Sequence, residues 1–265
     1  MQHDRIRLDH HDHVAVMTLN DPSVLNALGF FLKQDLTEAL DAVDASGARC
    51  LVITGAGRAF CSGANLNDPN RPPRDCAAEL RGEVKSDLEA WYNPTLMRIR
   101  NMDIPVVTAI NGIAAGAGMS LALCGDIKIA AKSASFLQAF ARIGLVPDAG
   151  SSYILPRLIG MARAMELSLL AERLPAETAL QWGMINRLVD DVDLMPETMK
   201  IAQGLANGPR SLGMIRRMVG ESLDNTMEQQ LAVEARMQKH AGMTEDHTEG
   251  VAAFREKRHA RFTGR

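Results

Sequence analysis

The chain has 265 residues, of which 29 are Lys or Arg and 32 are Asp or Glu, so its formal charge at neutral pH is −3. This near balance argues against the concentrated positive charge of a nucleic-acid-binding surface, and we expect no nucleic-acid partner. Hydrophobic residues make up 46% and charged residues 23%, as in soluble globular proteins. No stretch approaches the roughly 18 apolar residues of a membrane span. We therefore expect a cytoplasmic protein with no membrane partner.

The first part of the chain predicts a strand, a helix and a second strand. Residues 13–19 are rich in β-branched and apolar side chains and end at Asn20-Asp21-Pro22. Apolar residues then recur at helical spacing from Leu28 to Val43, and Ser46-Gly47 ends the pattern. Residues 50–55 form a short apolar run that ends in glycine, which is typical of a buried parallel strand. These elements predict a βαβ unit.

The remaining elements predict an α/β fold with a helical end. A loop rich in Gly, Asn, Asp and Pro is expected over residues 57–75, followed by one helix over 76–101. Strands are expected at 104–110 and 127–130, with a short helix at 119–123 between them. Beyond about residue 195 only helices are expected. We therefore predict a core domain over residues 1–195 and a helical region over residues 196–265, and the expected helices of that region are 195–206, 209–222, 226–240 and 245–258.

The glycines after the 50–55 strand bear a weak likeness to a dinucleotide-binding turn. Gly55 and Gly57 are present, but Phe60 stands where the third glycine belongs, and a loop follows instead of a helix. Neither Tyr92 nor Tyr153 has a lysine four residues later, as a Tyr-x-x-x-Lys hydride-transfer pair would require. A dehydrogenase is therefore not expected.

Metal and serine-hydrolase chemistry find equally little support. His10, His11 and His13 lie in a predicted strand, where adjacent side chains point to opposite faces, and no second cluster completes a coordination shell. The four cysteines contain no Cys-x-x-Cys pair and are expected to be reduced thiols. The chain has no Gly-x-Ser-x-Gly elbow. We expect no metal site.

Two glycine-rich turns and one carboxylate suggest a different chemistry. Gly63-Ala64 and Gly116-Ala117-Gly118 follow separate strands, and two convergent backbone N–H groups could stabilise a developing enolate oxygen. Asp148 could move a proton in such a site, in an apolar pocket supplied by Phe140, Leu145 and Val146 that raises its pKa. Alternatively, Asp148 could cap a helix that begins near Gly150.

Several motifs resemble those of the enoyl-CoA hydratase/isomerase (crotonase) superfamily, nearly from end to end. The residues that carry the resemblance are 20–22 with 25–28, 58–66, 104–107 with 111–118, 124–126, 144–148 and 249–258. The resemblance implies a crotonase-like spiral of repeated ββα units with a C-terminal all-helical trimerisation region, assembled as a homotrimer or a dimer of trimers. It also implies an acyl-CoA thioester substrate, held by the N–H groups of Ala64 and Ala117. No cofactor beyond the CoA moiety of the substrate is expected.

The sequence differs from the hydratases of this superfamily at two positions, where those enzymes use glutamates to activate water. Those positions fall on Ser120 and Phe140, neither of which can take a proton at neutral pH. Asp148 instead matches an acidic residue of the enoyl-CoA and dienoyl-CoA isomerases. The resemblance therefore implies an acyl-CoA isomerase, acting either on an enoyl double bond or on a ring-epoxide phenylacetyl-CoA to form the oxepin. A hydratase and a non-catalytic acyl-CoA-binding trimer remain the alternatives.

For the CoA moiety, the resemblance implies contacts at Leu25, Ala27, Ala64, Asn65 and Leu66, and a lysine at the 3′-phosphate that corresponds to Lys257. Phe254 and Lys257 are three residues apart on the predicted last helix and would share a face, with an apolar base contact beside a cation. The alternative for this pair is an ordinary amphipathic helix. The loop 68–75 and the helix after it are expected to line the acyl pocket.

Overall fold

The computed structural model describes residues 5–265, and these residues fold into ten strands and eleven α-helices. The strands are β1 (Ile6–His11), β2 (Val14–Leu19), β3 (Cys50–Gly55), β4 (Ala59–Cys61), β5 (Val106–Ile110), β6 (Ile113–Ala115), β7 (Ile127–Ala131), β8 (Ser135–Leu137), β9 (Arg173–Pro175) and β10 (Arg187–Val189). The helices are α1 (Phe30–Ala45), α2 (Cys76–Leu80), α3 (Asn93–Arg100), α4 (Ala117–Leu123), α5 (Ser151–Ile159), α6 (Met161–Leu170), α7 (Ala176–Gln181), α8 (Leu194–Ala206), α9 (Ser211–Glu221), α10 (Met227–Gly242) and α11 (Glu245–Glu256).

The strands form two sheets that the chain visits in turn. The larger sheet has the order β1-β2-β3-β5-β7-β10, antiparallel between β1 and β2 and parallel elsewhere. The smaller sheet has the order β4-β6-β8-β9, antiparallel only between β8 and β9. Each turn passes from a strand of the larger sheet to one of the smaller sheet and then to helical structure. This arrangement is the expected spiral of ββα units, and it confirms the predicted fold class.

The two faces of the larger sheet belong to two separate hydrophobic clusters. In β3, Leu51 and Ile53 point into the main core, whereas Cys50 and Val52 point to the other face. Helix α8 covers that second face with Leu194, Ala202 and Ala206, all of them buried. A strand covered on both sides is apolar at most positions, which is why residues 50–55 lack an alternation of polar and apolar side chains. The one polar side chain, that of Thr54, donates to the carbonyl of Ala109 at 2.8 Å.

The prediction of one continuous helix over residues 76–101 is wrong. Helix α2 ends at Leu80, and Gly82 adopts a left-handed conformation with φ +72°. The chain then makes a π-helical turn at Leu88–Tyr92 and continues as α3 from Asn93. Six strands, β1, β4, β6, β8, β9 and β10, were also not predicted, and all except β1 have only three residues, too few for a periodic signal.

The C-terminal helices agree closely with the predicted segments, and the chain end is held against them. Asp246 is buried, and its carboxylate accepts hydrogen bonds from the backbone amides of Arg210, Thr263 and Gly264 at 2.7 to 2.9 Å. The boundary predicted between residues 195 and 196 falls inside α8, and the division into two domains stays a prediction. Within residues 5–265, no helix is both long and apolar enough to cross a membrane.

Candidate active site

The two glycine-rich turns of the sequence meet at the edge of the smaller sheet. Strand β4 pairs in parallel with β6, so the residues that follow each strand emerge side by side. At Gly63, a Cβ atom would lie 2.7 Å from the carbonyl oxygen of Ala115 and 3.6 Å from the amide nitrogen of Ala117. The two turns can approach this closely only because Gly63 has no side chain and tolerates its φ of +95°.

The backbone amide of Ala64 points away from the chain segment that holds it. Leu28 donates its N–H to the carbonyl of Gly63 at 2.7 Å and accepts from the N–H of Asn65 at 3.3 Å. In this parallel bridge the intervening residue, Ala64, turns its own N–H to the opposite side. Ala64 is exposed, so its amide is accessible to a ligand.

The amide of Ala117 is free for a different reason. Ala117 is the first residue of α4, and the first amides of a helix have no acceptor within the helix. Gly116 precedes it with φ 51° and ψ −129°, a conformation that favours glycine. No hydrogen-bond acceptor is found among residues 5–265 for the amide of either Ala64 or Ala117. Both amides are therefore available to an external acceptor, and that of Ala117 lies at the positive end of α4.

Two asparagine side chains, which sequence reasoning did not single out, position the first turn. Asn26 is fully buried and donates to the carbonyls of Ala56, Ala59 and Phe60 at 2.9, 2.8 and 3.3 Å. Asn111 donates to the carbonyls of Gly57 and Ala59 at 2.9 and 3.2 Å. The sequence offered one indication of this role, because Asn side chains often bond to nearby backbone in turns. Such asparagines stand in Leu25-Asn26, before α1, and in Asn111-Gly112, after β5.

The side chain of Asp148 lies beside α4 without a hydrogen-bond partner. Its Oδ1 atom is buried and, within the described chain, unpaired. Desolvation by this burial raises the pKa of Asp148 from 3.8 to about 6. The backbone carbonyl of Asp148, in contrast, is held by the hydroxyls of Ser120 and Ser151 at 3.3 and 2.9 Å. The backbone is thus fixed while the carboxylate stays available for proton transfer.

The alternative role of Asp148 as a helix cap is excluded. Helix α5 has Gly150 at its N-cap, and no side chain bonds to its first amides. The predicted walls around Asp148 need correction as well. Phe140 is buried as expected, but Leu145 and Val146 are 46% and 78% exposed. They lie beyond Gly144, whose left-handed conformation ends the preceding turn and directs the chain to the surface.

The two positions at which hydratases of the superfamily carry glutamates lie against the turn of Gly116 and hold no acid. Ser120 is fully buried, and its hydroxyl bonds to the carbonyls of Gly116 and Asp148 at 3.5 and 3.3 Å. The ring of Phe140 lies 3.8 Å from the point that a Cβ on Gly116 would occupy. Ser120 thus connects the backbone of the Gly116 turn to the backbone of Asp148.

The residues predicted to contact CoA separate into two groups. Leu25 accepts from the amide of Ser62 at 3.0 Å, so the segment of Leu25 and Ala27 lies beside that of Ala64 and Asn65. Ala27 is buried, whereas Leu66 is 54% exposed. Phe254 instead lines a groove between α9, α10 and α11.

The premise that Phe254 and Lys257 share a helical face is wrong. Helix α11 ends at Glu256, and Lys257 adopts a left-handed conformation with φ 55° beyond the helix. A residue in that conformation no longer follows the helical spacing of three. Phe254 itself is 85% exposed.

Comparison with known proteins identifies the family. Residues 9–265 match the family model described as enoyl-CoA hydratase/isomerase. The chain belongs to the enoyl-CoA hydratase/isomerase family. It is 44% identical to a 1,2-epoxyphenylacetyl-CoA isomerase of Escherichia coli K12, over 95% of each chain. It is also 44% identical, over the full length of both, to a protein of Rhodobacter capsulatus named "Probable enoyl-CoA hydratase".

The fold of this family member also matches solved structures. An enoyl-CoA hydratase subunit of Geobacillus kaustophilus HTA426 superposes with a TM-score of 0.88 at 32% identity, and each chain covers 98% of the other. The chain therefore has the fold of solved members of this family. The family implies an acyl-CoA ligand. Isomerase and hydratase names occur at equal identity, so the names alone do not distinguish the two reactions.

Proposed function

We propose that this protein is an acyl-CoA isomerase in which the amides of Ala64 and Ala117 hold the thioester oxygen and Asp148 moves the proton. The observation that carries the proposal is the buried, unpaired Oδ1 of Asp148, with its pKa raised to about 6. As the α-carbon loses a proton, negative charge moves to the thioester oxygen, where the two amides stabilise it. Each such donor contributes about 3 kcal/mol to transition-state stabilisation.

A general base with a pKa near 6 is well matched to this task. At neutral pH it is ionised and can accept a proton from the substrate, and once protonated it is acidic enough to return that proton to another carbon. The thioester serves as the electron sink, so the proposal needs no cofactor beyond the CoA moiety of the substrate. One carboxylate is sufficient for this shuttle.

Hydration is the second candidate, and the "Probable enoyl-CoA hydratase" relative supports it. Adding water across a double bond requires one group to deprotonate the water and a source of a proton for the carbon. Neither Ser120 nor Phe140 can supply the proton that the carbon needs. The absence of an acid at these two positions therefore favours isomerisation over hydration.

For the acyl group, we propose a ring-epoxide phenylacetyl-CoA, which rearranges to the oxepin. Its support is the name of the Escherichia coli relative, which is 44% identical over 95% of the chain. A simpler enoyl-CoA double-bond shift uses the same oxygen-binding amides and the same proton shuttle, and is the broader form of the proposal.

Product analysis tests the reaction. A 3-enoyl-CoA, a 2-enoyl-CoA and 1,2-epoxyphenylacetyl-CoA are incubated separately with the protein, and the products are separated and weighed by mass spectrometry. An isomer of unchanged mass is expected, whereas hydration adds the mass of one water. Dominant hydration would overturn the isomerase proposal, and binding without turnover of any of the three would support a non-catalytic acyl-CoA-binding protein.

We further propose that the CoA 3′-phosphate contacts Lys257, whose position beyond α11 leaves its ammonium on the surface. Lys257→Ala is expected to weaken binding of CoA more than binding of dephospho-CoA. An equal loss for both ligands would contradict the assignment.

Assembly as a trimer, or as a dimer of trimers, is proposed for the same region. The helices α9, α10 and α11 leave a group of large apolar side chains exposed, which indicates a protein partner. Sedimentation or light scattering would give the number of subunits. The large apolar side chains that remain exposed on or between α9, α10 and α11 include Ile215, Val219, Leu223, Met227, Leu231 and Phe254.

A further inference from the structure

A buried lysine lies in the same cavity as Ala64. Lys33 is on α1, and its side chain is only 10% exposed. The cavity it lines is bounded on one side by Ala64 and Asn65, and on the other by Asp87 and Tyr92. The cavity has a volume of about 10 Å³, which is room for one water-sized atom between Lys33 and Ala64.

Three side chains of one segment hold the ammonium of Lys33. Asp87 lies 3.0 Å from Nζ, and the rings of Trp91 and Tyr92 lie 5.7 and 5.5 Å from it, within cation–π distance. Trp91 also donates from its indole N–H to the backbone carbonyl of Lys33 at 2.8 Å. The π-helical turn Leu88–Tyr92 presents both rings to Lys33, and such turns are frequent at functional sites.

This arrangement is a poor device for stability. Burying an ammonium is costly, and an apolar side chain of similar size would remove that cost. Asp87, its anionic partner among residues 5–265, is 41% exposed, which weakens their attraction by solvent screening. An ammonium has three N–H donors, and Asp87 accepts from one side only. The remaining donor capacity faces aromatic rings and the cavity.

The cavity also communicates electrostatically with the proposed base. Tyr92, which is buried, has its pKa raised by desolvation and then by the carboxylates of Asp87 and Asp148. Tyr92 therefore interacts with both Lys33 and Asp148. Lys33 and Ala64 line the same cavity, which has room for one oxygen atom of an acyl group whose thioester is held at Ala64.

We propose that the Lys33 ammonium donates a hydrogen bond to an oxygen atom carried by the acyl group of the substrate. A plain hydrocarbon chain in this cavity would bury the cation further without offering an acceptor. An acyl group with an epoxide, hydroxyl or carbonyl oxygen satisfies it. Lys33 is thus a specificity-determining residue for oxygen-bearing acyl-CoA thioesters. This inference rests on the proposed function only for the use of the cavity by the acyl group.

Binding measurements test the inference without turnover. The dissociation constants of phenylacetyl-CoA and of its 2-, 3- and 4-hydroxy derivatives are measured by calorimetry for the wild-type protein and for Lys33→Met. A charge-assisted hydrogen bond should make at least one hydroxy derivative bind the wild type about tenfold more tightly than phenylacetyl-CoA. In Lys33→Met this preference should fall to about one, with phenylacetyl-CoA bound at least as tightly as before.

Lys132→Met is the matched control, because Lys132 is also paired with an aspartate, Asp190 at 2.6 Å, but is exposed and remote from the cavity. It should keep the wild-type preference. Asp87→Asn serves as a second variant if Lys33→Met fails to fold. It leaves the ammonium in place without its anionic partner, so the preference should be equal to or larger than that of the wild type.

The inference is overturned if the wild type binds none of the three hydroxy derivatives preferentially, if Lys33→Met keeps the preference, or if Asp87→Asn abolishes it. Failure of the proposed isomerase function is separate from these outcomes. A protein that turns over no acyl-CoA, yet shows the Lys33-dependent preference, would retain the inference and lose the isomerase proposal.

Discussion

Asn26 and Asn111 donate hydrogen bonds to the same acceptor, the carbonyl oxygen of Ala59, at 2.8 and 3.2 Å. Asn26 comes from the segment before α1 and Asn111 from the turn after β5, so two distant parts of the chain hold the start of β4. The turn at Gly63 follows this strand directly and packs against the carbonyl of Ala115. The position of the Ala64 amide therefore depends on this anchoring.

Removal of the Asn26 side chain should therefore destabilise the protein and displace the first turn. Asn26→Gly is the suitable change, because position 26 has φ +54°, which glycine adopts without strain. Loss of the buried hydrogen bonds should lower the free energy of unfolding by about 3 kcal/mol, as measured by urea denaturation. Asn67→Ala, at an exposed position in the following loop, should change it by less than about 0.5 kcal/mol. Similar stability of the two variants would contradict the anchoring role.

Gly63→Ala should separate the two amides. The new Cβ would lie 2.7 Å from the carbonyl oxygen of Ala115, and a φ of +95° is strained for alanine. We expect a loss of at least about 2 kcal/mol of stability and a fall in kcat/KM of about 100-fold or more, since one oxygen-binding donor is displaced. Gly204→Ala provides the matched control, because its Cβ meets nothing within 4 Å and it lies within helix α8. That variant should be as stable as the wild type or slightly more stable. Unchanged turnover in folded Gly63→Ala would argue against a role for the amide pair.

Asp148→Asn should abolish isomerisation while leaving the fold intact. Loss of a general base costs about 10²- to 10⁴-fold in rate. In the wild type, kcat/KM should rise with pH through about 6 and then level off, because the base must be ionised and burial raises the pKa of Asp148 to that value. The residual activity of the variant should lack this inflection. Asp193→Asn, at an exposed position, is the control and should retain both the activity and the profile. Near wild-type turnover in Asp148→Asn would refute the proposed shuttle.

The same substitution should affect stability in a pH-dependent direction. A carboxyl whose folded-state pKa is raised, here from 3.8 to about 6, stabilises the fold when protonated, and this contribution is lost as the pH rises through that interval. At pH 7.5 the wild type carries a half-buried charge that Asn lacks, so the variant should be more stable by about 1 kcal/mol after solvent screening. The difference should shrink towards pH 5. A helix cap would instead lose stability on this change, and thermal melts at the two pH values separate these outcomes.

Asp246→Ala should release the C-terminal segment without unfolding the core. The buried Asp246 carboxylate accepts from the amides of Thr263 and Gly264, and from that of Arg210 at the start of α9. Without it, tryptic cleavage after Arg261 should accelerate about tenfold or more, because a local loss of about 1.5 kcal/mol or more raises the open population by that factor. The neighbouring Glu245 is 73% exposed and lies 3.8 Å from Arg265. Glu245→Ala should leave the cleavage rate close to that of the wild type, and equal acceleration in both variants would contradict the role of Asp246.

The sequence alone determined the family, the fold class and several of the longer regular elements, because these carry local patterns. The apolar run at residues 50–55 and the helical spacing from Leu28 to Val43 are each complete within a few turns of chain. The glycines of the two turns were informative for the same reason. Helix α4 and the four C-terminal helices likewise carry their signal in their own residues.

Tertiary structure alone decided which side chains belong to the site and what surrounds them. Lys33 resembles one solvated charge on an amphipathic helix until the π-helical turn packs against it, and that turn cannot be foreseen from a segment that was predicted as continuous helix. Asp148 could have been a cap or a base, and only its buried, unpaired oxygen separates the two. Burial and the absence or presence of a hydrogen-bond partner arise from contacts between distant segments, which no local pattern of residues specifies.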